Sequence, residues 1–311
     1  MTSPFHPGEL ELQERAGVAE AALAVGRIIA SELPAGIERF LARQRFAVAA
    51  SVESSGRVWA SLLTGPAGFI APVDRTLLRL AARPSAGDPL ADALAARPEL
   101  GVLVLDPRTR QRMRFNGRGL LSPEGVFLRV EQAYGNCPKY IQRRRPEPDA
   151  EGGAAGPTRV GSVLDARQQE WVARADTFFI ASLHPEGGAD ASHRGGFPGF
   201  VRVLARDRLA FDDYPGNGMF NTLGNLVAQP RAGLLFVDFA TGGVLQLTGR
   251  AEVGRDFCVA FKIEEVADTP RGSALRFSLL ERSPANPQLS HGGERGISRA
   301  GADETDERRA R

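Results

Sequence analysis

The sequence predicts a mainly β protein with flanking helices, built as two tandem antiparallel barrels that form a pseudo-dimer within one chain. Three observations predict it. Short apolar runs of strand length recur, separated by turns bearing Gly, Ser or Pro. One such block repeats another in the same order and at nearly the same spacing. A stretch poor in large apolar groups lies between them.

In chain order, residues 1–37 read as a helical segment. From about Glu9 to Ile37, Val18, Ala22, Val25, Ile28 and Ile29 fall on one side. The first barrel is expected over 38–144. FAVAASV (Phe46–Val52) and RVWASLL (Arg57–Leu63) flank a Glu-Ser-Ser-Gly turn, a hairpin signal. GVLVLD, MRFNGRGLL and GVFLRVEQAYG continue the block to Gly135. Residues 145–161, RPEPDAEGGAAGPTRVG, cannot bury enough apolar surface to order themselves and read as a linker. A short helix is expected around Ala166–Ala175. The second barrel is expected over 162–283, and the polar stretch 284–311 as a disordered tail.

Composition sets the class. At 311 residues the chain can build two cores. With 42% hydrophobic and 24% charged residues it belongs with soluble globular proteins. A net charge of +2 gives no field to recruit nucleic acid. Cys137 and Cys258 lack metal or redox spacing, which suits a reducing compartment. No apolar run approaches the ~20 residues of a bilayer span, and the N-terminus does not resemble a secretory signal. The expectation is a cytoplasmic protein with no membrane or nucleic-acid partner. No zinc site, Walker loop, Rossmann fingerprint or nucleophile elbow is present.

The repeat locates the chemistry. RFAVAASVESSGRVWASLLTGPAGFI matches TFFIASLHPEGGADASHRGGFPGFV, and RPELGVLVLDPRTRQRMRFNGRGLL matches QPRAGLLFVDFATGGVLQLTGRAEV. Ser61 and Ser192 correspond, but Leu62 and Leu63 stand where the second copy has His193 and Arg194. Ser192 and Arg194 share one face of the strand, and His193 takes the other. An arginine needed only for folding would serve either copy, so the asymmetry favours a ligand in the second. The first barrel reads as degenerate, without phosphate ligands.

LAFDDYPGNGMFNTLGNLVAQPRAGLLF, downstream, runs strand, loop, helix, strand. Asn217 and Asn221 sit where the helix would begin, with Asn a good N-cap. A helix start attracts phosphate through its free N–H groups and dipole, and Arg194 adds a charge-assisted contact. Taken alone, His193 suits packing, and Tyr214, Met219 and Phe220 suit a core.

With these residues in view, the second block resembles the pyridoxamine 5′-phosphate oxidase-like family of FMN-binding split barrels. The resemblance rests on DASHRGGFPGFVRV, FDDYPGNGMFNTLGNLVAQPRAGLLF and LQLTGRAEV, over Thr177 to Val253, with a weaker version over Phe46 to Leu121. It implies two tandem antiparallel split β-barrels with FMN in the groove between them. It also implies cofactor contacts from Ser192, His193, Arg194, Gly195, Asn217, Met219, Asn221 and Thr222. The family's oxidases carry a serine and a lysine where this chain has Phe220 and Thr222, so the resemblance implies flavin binding rather than pyridoxamine phosphate oxidation. EQAYGNCPKYIQRRR (Glu131–Arg145) reads either as a crossing segment or as a basic amphipathic helix gripping the second barrel. As a crossing segment it offers Asn136, Lys139, Tyr140 and Arg143 to the flavin or substrate. FHPGE (Phe5–Glu9) and SPANP (Ser283–Pro287) are further candidates for the groove's border.

The implied function is a flavin oxidoreductase moving two electrons between a reduced donor, NAD(P)H being the candidate, and a small organic substrate. The alternatives are a non-catalytic flavin-sensing module, or a split barrel using deazaflavin or haem. No residue stands out as the catalytic acid or base, no metal is expected, and the pseudo-dimer leaves room for a further homodimer.

Overall fold

The protein is described by a computed structural model covering residues 3–147 and 155–288. Three short helices lead the chain, α1 (Pro7–Arg15), α2 (Ala19–Gly26) and α3 (Glu38–Leu41). The expected continuous helical stretch is therefore broken. Gly17, at φ +68°, turns the chain after α1, and residues 27–37 leave the helix so that Ala30 bridges Ala133.

The first sheet comprises β1 (Phe46–Val52), β2 (Val58–Thr64), β3 (Ile70–Pro72), β4 (Leu77–Leu80), β5 (Glu99–Asp106), β6 (Gln111–Ser122) and β7 (Gly125–Gly135). Helix α4 (Leu90–Ala96) lies between β4 and β5. The connection then runs through β8 (Arg143–Pro146), β9 (Arg159–Gly161) and α5 (Ala166–Arg174). The second sheet holds β10 (Thr177–His184), β11 (Gly188–Gly195), β12 (Val201–Ala205), β13 (Arg208–Asp212), β14 (Arg231–Val237), β15 (Val244–Val253) and β16 (Cys258–Thr269). Helix α6 (Asn221–Ala228) lies between β13 and β14, and β17 (Phe277–Glu281) ends the described elements.

The sheets have one topology. Their orders are β2-β1-β5-β6-β7-β4-β3 and β11-β10-β14-β15-β16-β13-β12, identical once β10–β16 are laid on β1–β7. Ladder register agrees: Leu63 faces Ala47 as Arg194 faces Phe178, and Ala50 faces Gly101 as Ala181 faces Gly233. Even the irregularity is repeated, between Asn116 and Gly117 on β6 and between Thr248 and Gly249 on β15.

Each sheet encloses its own apolar core. Phe178, Phe211, Phe236 and Phe261 belong to the second, Phe115, Leu63 and Leu128 to the first. A third apolar cluster joins the two, with Val48, Ala60 and Leu103 meeting Phe179, Ala191 and Leu235. Backbones come together there at equivalent glycines. A Cβ on Gly101 would lie 2.5 Å from the Ala189 carbonyl oxygen, and one on Gly233 2.6 Å from that of Val58. Val58 and Ala189 are themselves equivalent, so each barrel presents the same patch to the other, as in a two-fold dimer.

The connecting stretch is less loose than its composition predicts. Arg143–Pro146 pairs with β17, and Arg159–Gly161 pairs with β16, because those strands have edges open to them. The expected disordered tail begins with ordered residues: Ser283 N–H donates to Gln142 Oε1 at 2.7 Å, and Asn286 Nδ2 does so at 3.1 Å. The rest of that expectation, from 289 on, lies outside the described residues. Among the described residues, no helix is long and apolar enough to cross a membrane.

Candidate functional site

A cavity of about 400 Å³ opens between the barrels at the end of β11. The second barrel supplies His193, Arg194 and Gly195, the loop from Asp212 to Phe220, and the α6 start at Asn221 and Thr222. The first supplies Arg112 and Arg114 from β6, followed by Asn136, Lys139 and Tyr140.

Strand alternation orders this wall. Arg194 pairs with Phe178, which belongs to the second barrel's core, while His193 pairs with Phe179, in the layer between barrels. The cavity wraps the strand end and so meets both residues. Arg194 is held by Asp213, with Nη2 2.9 Å from Oδ1, and its Nη1 donates to the His193 carbonyl at 3.2 Å. Its Nε is buried without a partner. Burial raises the Asp213 pKa, against the opposing pull of Arg194. His193 is 3% exposed, its ring edge-on to Phe179, with Nδ1 unpartnered. Burial, then Arg112 and Arg194, holds its pKa well below the usual histidine value, so it is neutral.

Arg114 donates through Nη1 to Asp190 Oδ2 at 3.3 Å and to Asn221 Oδ1 at 3.2 Å. The Arg112 side chain has no hydrogen bond or ion pair among the described residues, and its Nε is buried. Burial, with Arg114 and Arg194 nearby, pushes its pKa down to about 9. Three guanidinium groups thus face one cavity, and Asp190 and Asp213 tie only two of them.

The helix start differs from expectation in detail. The N-cap is Phe220, in the left-handed region at φ 59°, and no side chain caps the helix. Asn221 is the first helical residue because its side chain is engaged elsewhere, donating from Nδ2 to Glu9 Oε1 at 2.6 Å. The first turn of α6 thus has no side-chain cap, and Asn221 and Thr222 at its start line the cavity. Asn217 folds back instead: its Oδ1 accepts from Met219 N–H at 3.1 Å, and its Nδ2 donates to Asn136 Oδ1 at 2.7 Å.

Residues 136–142 cross to the second barrel as irregular chain that turns at Lys139–Tyr140, with Tyr140 at φ +68°, and lead into β8 without forming a helix. Tyr140 Oη donates to the Pro215 carbonyl at 2.8 Å. The Tyr140 carbonyl passes so close to Gly195 that a Cβ there would lie 2.1 Å away. A side chain at 195 would push the crossing segment off the site.

Of the predicted contacts, His193, Arg194, Gly195, Asn217, Asn221, Thr222, Asn136, Lys139 and Tyr140 meet at this cavity. Ser192 does not: it is fully buried behind the wall, its Oγ accepting from Thr222 Oγ1 at 2.8 Å. Met219 is also away from the lining, packed with Phe5, Ala22 and Tyr134. Arg143 points outward to Glu281 at 3.0 Å, since β8 leads it away from the groove. SPANP lies behind the crossing segment, where Ser283 Oγ accepts from Tyr140 N–H at 3.1 Å.

Arg112 and Arg114, which the sequence reading did not single out, reach this cavity from the first barrel, read from sequence as degenerate and without phosphate ligands. An Arg-x-Arg pair on one strand face, set against Val244 and Gln246 in the second copy, was the available signal. At the mirror position the first barrel is closed. Leu63 is fully buried, Ser61 Oγ donates to Asp88 Oδ1 at 2.6 Å, and Gln246 Nε2 donates to Asp88 Oδ2 at 3.1 Å.

Residues 164–262 match the family model described as pyridoxamine 5′-phosphate oxidase. No curated protein matches the chain. Among solved structures, HupZ from Group A Streptococcus is 12% identical, covering 32% of this chain and 90% of its own at a TM-score of 0.26. An FAD-binding protein from Mesorhizobium loti is 13% identical, covering 36% and 96% at 0.27. An FAD-binding protein from Mycobacterium smegmatis is 12% identical, covering 36% and 98% at 0.25. Each corresponds to about a third of this chain.

Proposed function

Starting from a barrel of the pyridoxamine 5′-phosphate oxidase-like kind at residues 164–262, we propose that the chain is an FMN-binding flavoprotein with the cofactor in the cavity between its barrels. The observation that carries this reading is Arg112. A partly buried guanidinium beside two others, its Nε without a partner and with no counter-ion among the described residues, is costly unless an anion joins it. A phosphate monoester fits the donor set: the free Arg112, the unpartnered Arg194 Nε and the uncapped first turn of α6.

On this reading Arg112 and Arg194 grip the phosphate, while Asp213 keeps Arg194 aimed before the anion arrives. Asn136, Lys139 and Tyr140 flank the cofactor from the crossing segment. Bound flavin supplies a two-electron carrier. The protein's own share is to hold it, limit water and leave room for a small organic substrate. Neutral His193 borders that space without adding charge. We assign the chain as an oxidoreductase that takes electrons from a reduced donor such as NAD(P)H.

The experiment is a fluorescence titration of purified protein with FMN, alongside its absorption spectrum. Binding is expected, and Arg112→Leu is expected to weaken it about 10- to 100-fold, the value of a charge-assisted contact. A colourless protein that FMN cannot reconstitute overturns the reading. Mass spectrometry of the released ligand separates FMN from deazaflavin or haem, and anaerobic reduction by NADH or NADPH separates an enzyme from a passive carrier.

A further inference from the structure

A second cavity, of about 300 Å³, lies across Asn221 from the first. It is enclosed by the N-terminal segment around His6 and Glu9, by β6 and β7, by the turn between β10 and β11, and by α6. Its chemistry is the reverse of the first cavity's. No arginine or lysine lines it, whereas Glu9, Glu186 and Asp190 do. Unlike the larger cavity, it is short of donors rather than of anions.

Two of its acceptors are buried and unused. Asp190, 4% exposed, receives Arg114 Nη1 at 3.3 Å and Tyr134 Oη at 3.2 Å, both on Oδ2, while Oδ1 has no partner. Asn116, 5% exposed, donates from Nδ2 to Gln132 Oε1 at 3.4 Å, and its Oδ1 has no partner. An acceptor left so costs about 1–3 kcal/mol, more for a charged one. His6, stacked on His184 with ring centroids 4.0 Å apart, adds no positive charge, and its Nδ1 is a third unpartnered atom. Phe5 and Ile29 give the same space an apolar side.

We propose that this second cavity binds a small organic ammonium ion. Its N–H groups meet Asp190 Oδ1 and Asn116 Oδ1, its charge is set against Glu186 and against Asp190, which it shares with Arg114, and its short carbon chain lies along Phe5 and Ile29. An anion would face Asp190 and Glu186 with no arginine or lysine in the lining, and a neutral alcohol brings a single donor to two buried acceptors. A metal ion lacks ligands, since no group of three or more His, Cys, Asp or Glu among the described residues is placed to hold one. The proposal is independent of the flavin reading, because none of its acceptors lines the first cavity.

The test is isothermal titration of the full chain with propylammonium chloride. Sodium propionate and propan-1-ol at matched ionic strength are the controls, and each titration is run with and without FMN. Saturable one-site binding of propylammonium alone is expected in both series. Asn116→Leu fills the space and removes one acceptor without touching the Arg114–Asp190 pair, and is expected to weaken binding about tenfold or more. Equal binding of the three probes, no binding of propylammonium, or unchanged affinity in Asn116→Leu overturns the proposal. Soaked wild-type crystals read the site without relying on a variant: density at Asp190 Oδ1 explained by ordered water alone overturns it too.

Discussion

Glu9 shows how one side chain ties the N-terminal helix to the site. It is 4% exposed; Oε2 accepts from the His6 N–H at 2.9 Å and Oε1 from Asn221 Nδ2 at 2.6 Å. Burial dominates these bonds and raises its pKa from 4.5 to about 7. The folded chain therefore keeps a proton that the unfolded chain releases near 4.5, and stability falls as pH rises through that interval. The shift corresponds to about 3 kcal/mol. His6 acts in the opposite sense, its pKa lowered to about 4, so it costs stability as pH falls from 6.5. Comparison with Glu9→Gln cancels the His6 contribution. Between pH 5 and pH 8 the variant should gain about 2.5 kcal/mol on the wild type in urea unfolding. A difference that does not change with pH would show that Glu9 is ionised throughout. FHPGE stands out in the sequence as a motif, but its carboxylate's partner lies 212 residues away, beyond reach of any local pattern.

Among the elements, two glycines at the barrel interface carry the assembly. Gly233 sits where β14 meets β2, and an added Cβ would lie 2.6 Å from the Val58 carbonyl and 2.8 Å from the Trp59 Cα. Neither backbone can yield without breaking its ladder. Gly233→Ala should thus destabilise by about 1–3 kcal/mol, as overpacking does, although alanine normally suits a strand better than glycine. Thermal melting checks this, and an unchanged or raised melting temperature would place the barrels farther apart. The hairpin at 46–63 was legible from its apolar runs and turn, and the repeat was legible from Gly101 and Gly233 falling in step. The reason those glycines are there was not, since each serves the opposite barrel. Likewise the break after α1 and the strand character of 143–146 depend on partners that apolar spacing does not display.

Across the full chain, approximate two-fold symmetry and unequal charge together set the expected stoichiometry. Gln246 occupies in one half the place of Arg114 in the other, and Leu63 that of Arg194. At the mirror position Ser61, Asp88 and Gln246 are hydrogen-bonded to one another and no arginine stands there. One FMN per chain is therefore expected when flavin absorbance is compared with protein concentration. Two per chain would mean that the closed half opens. Arg194→Leu, which copies the first half, should lower the FMN affinity about 10- to 100-fold and also lower the melting temperature of the flavin-free protein, because Asp213 is left buried without its partner.

The two barrels, their repetition and the half in which Arg194 and the Asn221 helix lie could all be read before any coordinates. They follow from alternation, turn chemistry and repetition, which are properties of neighbouring residues. Three features waited for the folded chain: Arg112 and Arg114 cross over to that half, Ser192 and Met219 stay behind its wall, and a second, acidic cavity opens beside it. The reason is the two-fold packing itself. It carries side chains from each barrel into the other's groove, so the charge at the site is the sum of two distant stretches of chain.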